Sequence, residues 1–325
     1  MTSLPSTTVI EALGSAPAVV SELMGNRALE RCFQAAGFPD DPLIDAGQFI
    51  PQILISRFFD AAARKAGDNL FGLHLVHHLS VVDYGVWGEY VLEAANLGAA
   101  MRRAVDVIHL HADKDQLRIR KGSTSTHLDY SFAEKRGSGY RHVALAALGP
   151  LMSIPRHFCG QNWQPMSVSL DLNDKRVANE IEARLNLKTK SDRGCISIEV
   201  PNADLLTVNK GVPERHTTRE DVERAWLGGP PQELVPFVEY LILQRLGTGT
   251  IHLDNIAFDM ATSRRSLQRG FEQSGTDFRS VVVAAQMRRA QELLRRRKET
   301  VSEIAMQLEY STKSHFARAF KKKLG

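Results

Sequence analysis

Apolar residues recur every three or four positions through the first hundred residues of the chain. "ALERCFQAAG" and "ILISRFFDAAARKAG" read as amphipathic helices, each closed by a Gly suited to a helix C-cap, and "NLFGLHLVHHLS" and "WGEYVLEAANLGAAMRRAVDVIHLH" continue the pattern. The period then drops to two. In "DQLRIRKGSTSTHLDYSF", Leu117 and Ile119 alternate with Arg118 and Arg120; after a Gly/Ser/Thr turn, Leu128, Tyr130 and Phe132 alternate with Asp129 and Ser131. That alternation predicts a β-hairpin. "RHVALAALGPLMSIPRHFCG" returns to helix, "SVSLDL" reads as a strand, "DKRVANEIEARLN" as a helix and "CISIEVP" as a further strand. Residues 1–210 therefore read as one mixed α/β domain. The polar stretch 211–232, ending in Gly-Gly-Pro-Pro, reads as a linker with room for a short helix. From residue 233 to 325 the pattern is helical almost throughout, so the fold class is α+β: a mixed domain followed by an all-α domain.

The helical part says one thing twice. "IAFDMATSRRSLQRGF" begins at Ile256 and "IAMQLEYSTKSHFARAF" at Ile304, with a long helical stretch, Phe278–Arg296, between them. In the first copy Ile256 and Met260 share a face of a short helix over Asn255–Met260, and Ala257 is small enough for close helix contact. Ser263 is placed to cap the next helix, whose Leu267 and Phe271 lie four apart on an inner face. Arg264, Arg265, Gln268 and Arg269 are left on the outer face. The second copy has Ile304, Ala305 and Leu308 in the supporting helix and Ser311 as the expected cap. Phe316 and Phe320 face inward, and Lys313, Ser314, Ala317 and Arg318 outward. With one extra residue in the second turn, Leu267 aligns with Phe316, Arg269 with Arg318 and Phe271 with Phe320. Each copy is a helix-turn-helix. Two such units on one chain can enter successive major-groove segments about 34 Å apart.

Charge supports that reading. Residues 233–325 hold 16 Lys/Arg against 10 Asp/Glu, whereas the other 232 residues hold 25 against 27. A basic end beside a slightly acidic remainder suits a polyanionic partner. Composition is that of an ordinary globular protein, with no apolar run long enough to span a membrane and no secretory leader pattern at the start. Cys32, Cys159 and Cys195 are scattered and odd in number, which argues against a disulfide framework and for a reducing, cytoplasmic setting.

At these residues the chain resembles the AraC/XylS class of transcriptional regulators. The class pattern I-A-x-x-L-G-Y-S-x-x-S-x-F-x-R-A-F-K is matched at nearly every fixed position by "IAMQLEYSTKSHFARAFK". The first domain resembles, more faintly, the arabinose-binding-type regulatory domain of one subgroup, on "FDAAARKAGDNLFGLHL", "DYGVWGEYVLEAANLGAAM" and the hairpin that follows. The resemblance implies a sensor at 1–210 and a double helix-turn-helix at 233–325. It implies as partners double-stranded promoter DNA, a small-molecule effector, RNA polymerase and a second copy of the chain, with activation expected over repression. By position it assigns the groove-facing role to Arg265, Gln268 and Arg269 in the first motif and to Lys313, Ser314 and Arg318 in the second. Three features depart from the class. Ala261 and Glu309 stand where both turns ordinarily carry Gly, Lys323 stands where an aromatic is common, and "FKKKLG" stands where Ser-Pro and a further short helix ordinarily follow.

For the sensor, the sequence offers one sharp site, set against a bland reading in which the same hairpin is simply polar and exposed, as alternation by itself predicts. Arg118, Arg120 and Lys121 on the hairpin, Ser123 and Thr124 at its turn, and Arg136 and Arg141 beyond it are the groups a phosphate or carboxylate needs. A nucleotide or cyclic dinucleotide is the expectation from that set. The alternative is a neutral metabolite in an apolar pocket between hairpin and helices. A DNA-bending protein that senses nothing is a third reading, disfavoured by the size of the non-basic first domain. His74 and His78 fall four apart, but no third metal ligand accompanies them, and "HLH" at His109–His111 reads as a helix end. No cofactor is implied. No hydrolase elbow, phosphate loop or H-E-x-x-H occurs, and "GTGT" at Gly247–Thr250 reads as a turn between helices, so an enzyme is not expected.

Overall fold

The computed structural model describes residues 3–38, 48–172, 174–190, 194–211, 216–226, 228–247 and 251–324. The "GTGT" turn therefore lies mostly outside the described residues. The chain forms two compact units, one made of Ser6–Ala36 with Leu43–Gly229, the other chiefly of Pro230–Gly325.

In the first unit, β1 (Thr7–Val9) pairs antiparallel with β2 (Phe49–Pro51). A larger five-stranded sheet is built from β3 (Gln116–Lys121), β4 (Ser125–Ser131), β5 (Ser167–Ser169), β6 (Thr189–Lys190) and β7 (Ile196–Pro201), in the order β3-β4-β7-β5-β6. All its pairings are antiparallel except β5–β6, which the helix Lys175–Leu185 connects. The expected hairpin is β3–β4, with Leu117 opposite Tyr130 and Ile119 opposite Leu128. Alternation sorts the two faces. Leu117, Leu128, Val168, Ile196, Ile198 and Val200 join a core with Leu97, Met101, Leu148, Met152, Val177 and Ile181 from the helices. Each such side chain contributes about 1.5–3 kcal/mol by leaving water. The other face is polar, and there Glu199 accepts hydrogen bonds from Ser125 (2.7 Å), Ser167 (2.5 Å) and Lys190 (2.6 Å).

Two long helical expectations are broken. "WGEYVLEAANLGAAMRRAVDV" divides into Gly85–Leu92 and Leu97–Val107. Asn96 caps the second helix by accepting from the Ala99 N–H at 2.9 Å, while the Asn209 amide donates to the carbonyls of Leu92 and Ala94. "NLFGLHLVHHLS" keeps only Gly72–Leu75 as helix, so His74 and His78 do not share a helix face, and His74 instead meets Asp68 at 2.8 Å. Part of the expected linker packs on this unit. Helix Arg219–Ala225 carries a capping box between Thr218 and Asp221, Val222 is buried, and Trp226 lies 4.1 Å from Phe49, ring to ring.

The second unit holds helices Leu234–Arg245, Leu253–Asp259, Arg264–Gln273, Phe278–Arg296, Val301–Gln307 and Lys313–Leu324. It has two small cores strung along one rod. Val281 and Ala285, in the first half of Phe278–Arg296, pack with Ile256, Met260, Leu267, Phe271 and the helix Leu234–Arg245. Met287, Ala290 and Leu293, in the second half, pack with Ile304, Leu308 and Phe316. The 19-residue rod is about 28 Å long. A buried ion pair, Arg245 to Asp259 at 2.6 Å, ties the first helix to the supporting helix of the first motif.

Candidate nucleic-acid interface and effector cavity

The first recognition helix, Arg264–Gln273, starts where expected. Ser263 is its N-cap and accepts from the Ser266 N–H at 3.1 Å. Leu267 and Phe271 are buried, while Arg265, Gln268 and Arg269 are exposed. The second recognition helix, Lys313–Leu324, corrects the expected cap. Thr312, not Ser311, accepts from the His315 N–H at 3.1 Å. The extra residue in the second turn causes this, since an alignment that pairs Leu267 with Phe316 pairs Ser263 with Thr312. Phe316 is buried, but Phe320 only partly so, in contrast to its counterpart Phe271. Lys313, Ser314 and Arg318 are exposed. Among the described residues no ion pair or side-chain hydrogen bond engages Arg265, Gln268, Arg269 or Lys313, whereas Arg264 is held by Asp254 at 2.9 Å and Arg318 reaches back to the Ser314 carbonyl at 3.4 Å. Both turns keep the left-handed residue that the motif requires, without glycine: φ is 48° at Ala261 and 61° at Glu309.

The basic hairpin is largely matched by its own protein. Arg120 donates two bonds to Asp129 at 2.9 and 3.1 Å, and Arg118 donates to Gln116 at 2.5 Å. Arg136 is held on the Glu134 carboxylate, with the closest contact 2.6 Å, and Arg141 on Asp174 at 2.8 Å. Lys121, Ser123 and Thr124 are exposed at the turn, where Asn202 donates its amide to the carbonyls of Gly122 and Ser123. Four of the seven residues expected to hold an anion thus already have partners, three of them carboxylates.

A cavity lies in the same unit, between the hairpin and the helices. It offers about 100 Å³ to the centres of water-sized molecules, several times what a single water needs. Ile55, Phe59, Val81, Leu117, Leu151 and Ile154 supply apolar wall. Tyr84, Trp87, Tyr130 and Phe132 supply aromatic rings. A few polar groups interrupt this lining, namely Gln52, His111, Asp115 and Glu134, each with about 5% of its surface exposed. Asp115 accepts from the Tyr130 hydroxyl at 2.5 Å and Gln52 Nε2 at 2.8 Å on one oxygen, and from the Ala133 N–H at 2.8 Å on the other. Burial pushes its carboxyl above the usual range, against the pull of those bonds. His111 stacks on Tyr84 at 4.5 Å and sits 5.1 Å from Trp87. Burial pushes its imidazole down to about 3, so the ring is neutral. Its Nδ1 and the Oε1 of Gln52 have no hydrogen-bond partner among the described residues. Sequence reasoning foresaw a pocket in this region as an alternative but named none of its residues. They are spread from Thr8 to Ile154, and no periodicity links them.

Comparison with known proteins agrees with this anatomy. Residues 27–208 match the family described as the arabinose-binding domain of AraC transcription regulators, and residues 256–325 match a helix-turn-helix domain family. The chain is 24% identical over 304 residues to the ornithine utilization regulator of Pseudomonas aeruginosa, covering 89% of each protein. The solved structure of the transcriptional regulator CdpR from Pseudomonas aeruginosa aligns with 22% identity, 79% of this chain, 84% of that one and a TM-score of 0.37. No helix among the described residues is long and apolar enough to cross a membrane. With an arabinose-binding-type domain over more than half its length and a helix-turn-helix domain behind it, the chain belongs to the AraC family of transcription regulators, DNA-binding proteins rather than enzymes.

Proposed function

We propose that this regulator reads two successive major-groove segments of one promoter and is gated by a small organic effector held in the cavity of its first unit. Arg265, Gln268 and Arg269 enter the first segment; Lys313, Ser314 and Arg318 enter the second. Arg bridges guanine O6 and N7, and Gln bridges adenine N6 and N7. The exposure of these side chains, none of them in an ion pair among the described residues, supports the DNA half of the reading, because a face spent on internal ion pairs would have nothing left for a base.

The cavity supports the effector half. A mostly apolar concavity with a few convergent polar groups is the usual form of a small-molecule site. A phosphate there would meet a neutral imidazole and two carboxylates. The hairpin would have to release Arg120 and Arg136 from Asp129 and Glu134 before it could grip one. Activation, recruitment of RNA polymerase and dimer formation are part of the proposal on family grounds, as is action in the cytoplasm.

Footprinting on selected DNA, repeated with a metabolite library, tests both halves. Two protected segments one helical turn apart, with affinity altered by an effector, are expected. Val143→Phe adds a ring to the cavity wall and should abolish the effector response. A response that survives Val143→Phe but disappears in Arg118→Ala/Arg120→Ala would return the site to the hairpin.

A further inference from the structure

The cavity contains a charge with no counter-charge. Asp115 is 5% exposed and forms no ion pair among the described residues. Its three partners are a hydroxyl, an amide and a backbone N–H, all neutral. The other carboxylate in the wall is in a different position, since Glu134 is gripped by Arg136. A lone buried carboxylate is costly, and proteins ordinarily pair such a group or leave it for a ligand to pair.

The remaining vacancies point the same way. Gln52 donates its Nε2 to Asp115, which leaves Oε1 as an acceptor with nothing to accept. The neutral His111 presents Nδ1 without a partner. The tally around the cavity is therefore one carboxyl group with no cationic partner and one amide acceptor with no donor, among the described residues. Beside them stand the rings of Tyr84, Trp87, Tyr130 and Phe132, whose faces attract cations. An ammonium group brings one positive charge, three donors and no acceptor. A phosphate or carboxylate brings the opposite on every count.

We infer that the effector is an organic amine, its ammonium head held between Asp115 and Gln52 Oε1 and its apolar body against the aromatic and aliphatic wall. The inference rests on the cavity being the effector site, as proposed above, and adds the chemical class.

The test is calorimetric titration of the full chain with three matched series. Hexylamine and phenethylamine are the amines. Hexanol and 2-phenylethanol are their neutral isosteres, and hexanoate and 3-phenylpropanoate the anions. The amines are expected to bind more tightly than the alcohols, and the anions not at all. Asp115→Asn should weaken the amines roughly 30-fold or more while sparing the alcohols. Tyr84→Leu removes a ring without touching the carboxylate and should also weaken amines more than alcohols, which keeps the inference testable should Asp115→Asn fold poorly. Alcohols that bind as well as amines, competed away by Val143→Phe, would overturn the amine class and leave the cavity site standing. Anions that bind and are lost in Arg118→Ala/Arg120→Ala would overturn both. Silence from every probe on the folded chain would overturn the amine assignment.

Discussion

Glycine at both motif turns should stabilise this protein. Ala261 and Glu309 sit at φ 48° and 61°, where an L side chain crowds its own carbonyl at a cost of about 1–2 kcal/mol. Glycine removes that cost but loses about 0.4–1 kcal/mol through the greater freedom of the unfolded chain. The balance is a gain of about 0.5–1 kcal/mol for Ala261→Gly and the same for Glu309→Gly. The two turns belong to separate small cores, so the double variant should gain about the sum. For a unit of this size each substitution should raise the midpoint by about 2–8 °C. Glu309→Ala is the control: it keeps an L residue at the left-handed position, so it should lack the gain seen in Glu309→Gly. Scanning calorimetry of the full chain, with the helix-turn-helix transition identified by its shift on DNA binding, gives the measurement. Glycine variants no more stable than the parent, or Glu309→Ala as stabilising as Glu309→Gly, would refute the reasoning from backbone strain. The supporting and recognition helices keep their angle in these variants, so promoter affinity should hold.

Four further outcomes follow from particular contacts. Thr312→Ala should cost the second motif about 1 kcal/mol in urea unfolding, whereas Ser311→Ala should be nearly neutral, because only Thr312 bonds the free His315 N–H. Arg269→Ala or Arg318→Ala should weaken promoter binding in gel-shift titration by about 1–3 kcal/mol and relax preference at one base, if the side chain reads that base. Lys313→Ala, if it holds phosphate, should lower the salt slope by about one and weaken all sequences alike. Acid should loosen the first unit through Glu199, whose carboxyl the bond from Lys190, with those from Ser167 and Ser125, holds down at about 2. A lowered folded value means stability that is full above the ordinary carboxylate range, near 4.5, and lost as pH falls through about 2. Unfolding midpoints measured between those limits should fall in the parent and fall less in Glu199→Gln.

The helix-turn-helix half was legible because its signals are local. A capping Ser, an i,i+4 pair such as Leu267 and Phe271, and a small residue at Ala257 each act within a turn or two of chain, and duplication offered every signal twice. The misplaced cap shows the limit of such reading. Ser311 and Thr312 are both good capping residues in adjacent positions, and only the register of Phe316 and Phe320 against the core decides between them. In the first unit, alternation revealed β3, β4 and β7, whose faces differ in polarity along several residues. It could not reveal β1, β2 or β6, which run for two or three residues and owe their pairing to distant partners, Thr7 to Pro51 and Val168 to Thr189 among them. The break between Gly85–Leu92 and Leu97–Val107 likewise involves a distant partner. Asn209 reaches back more than a hundred residues to bond the carbonyls at Leu92 and Ala94.

The proposed effector site lies beyond that range for a reason that also explains why the basic hairpin is conspicuous in the sequence. A run of arginines is conspicuous in one dimension, yet Arg120 finds Asp129 directly across the turn and Arg141 finds Asp174 from another element, and the charge is spent. Asp115 shows the converse. In the sequence it is one of three charged residues in "DKD", the pattern of a solvated turn. In the fold it is sealed beneath Tyr130 and Gln52, and burial without a cation makes it the strongest unmet demand in the cavity. Local charge density thus points to where a protein can neutralise itself, and an isolated buried charge to where it needs something else to do so. On that basis the carboxylate that no pattern singled out has more to say about the effector than the seven residues that one did.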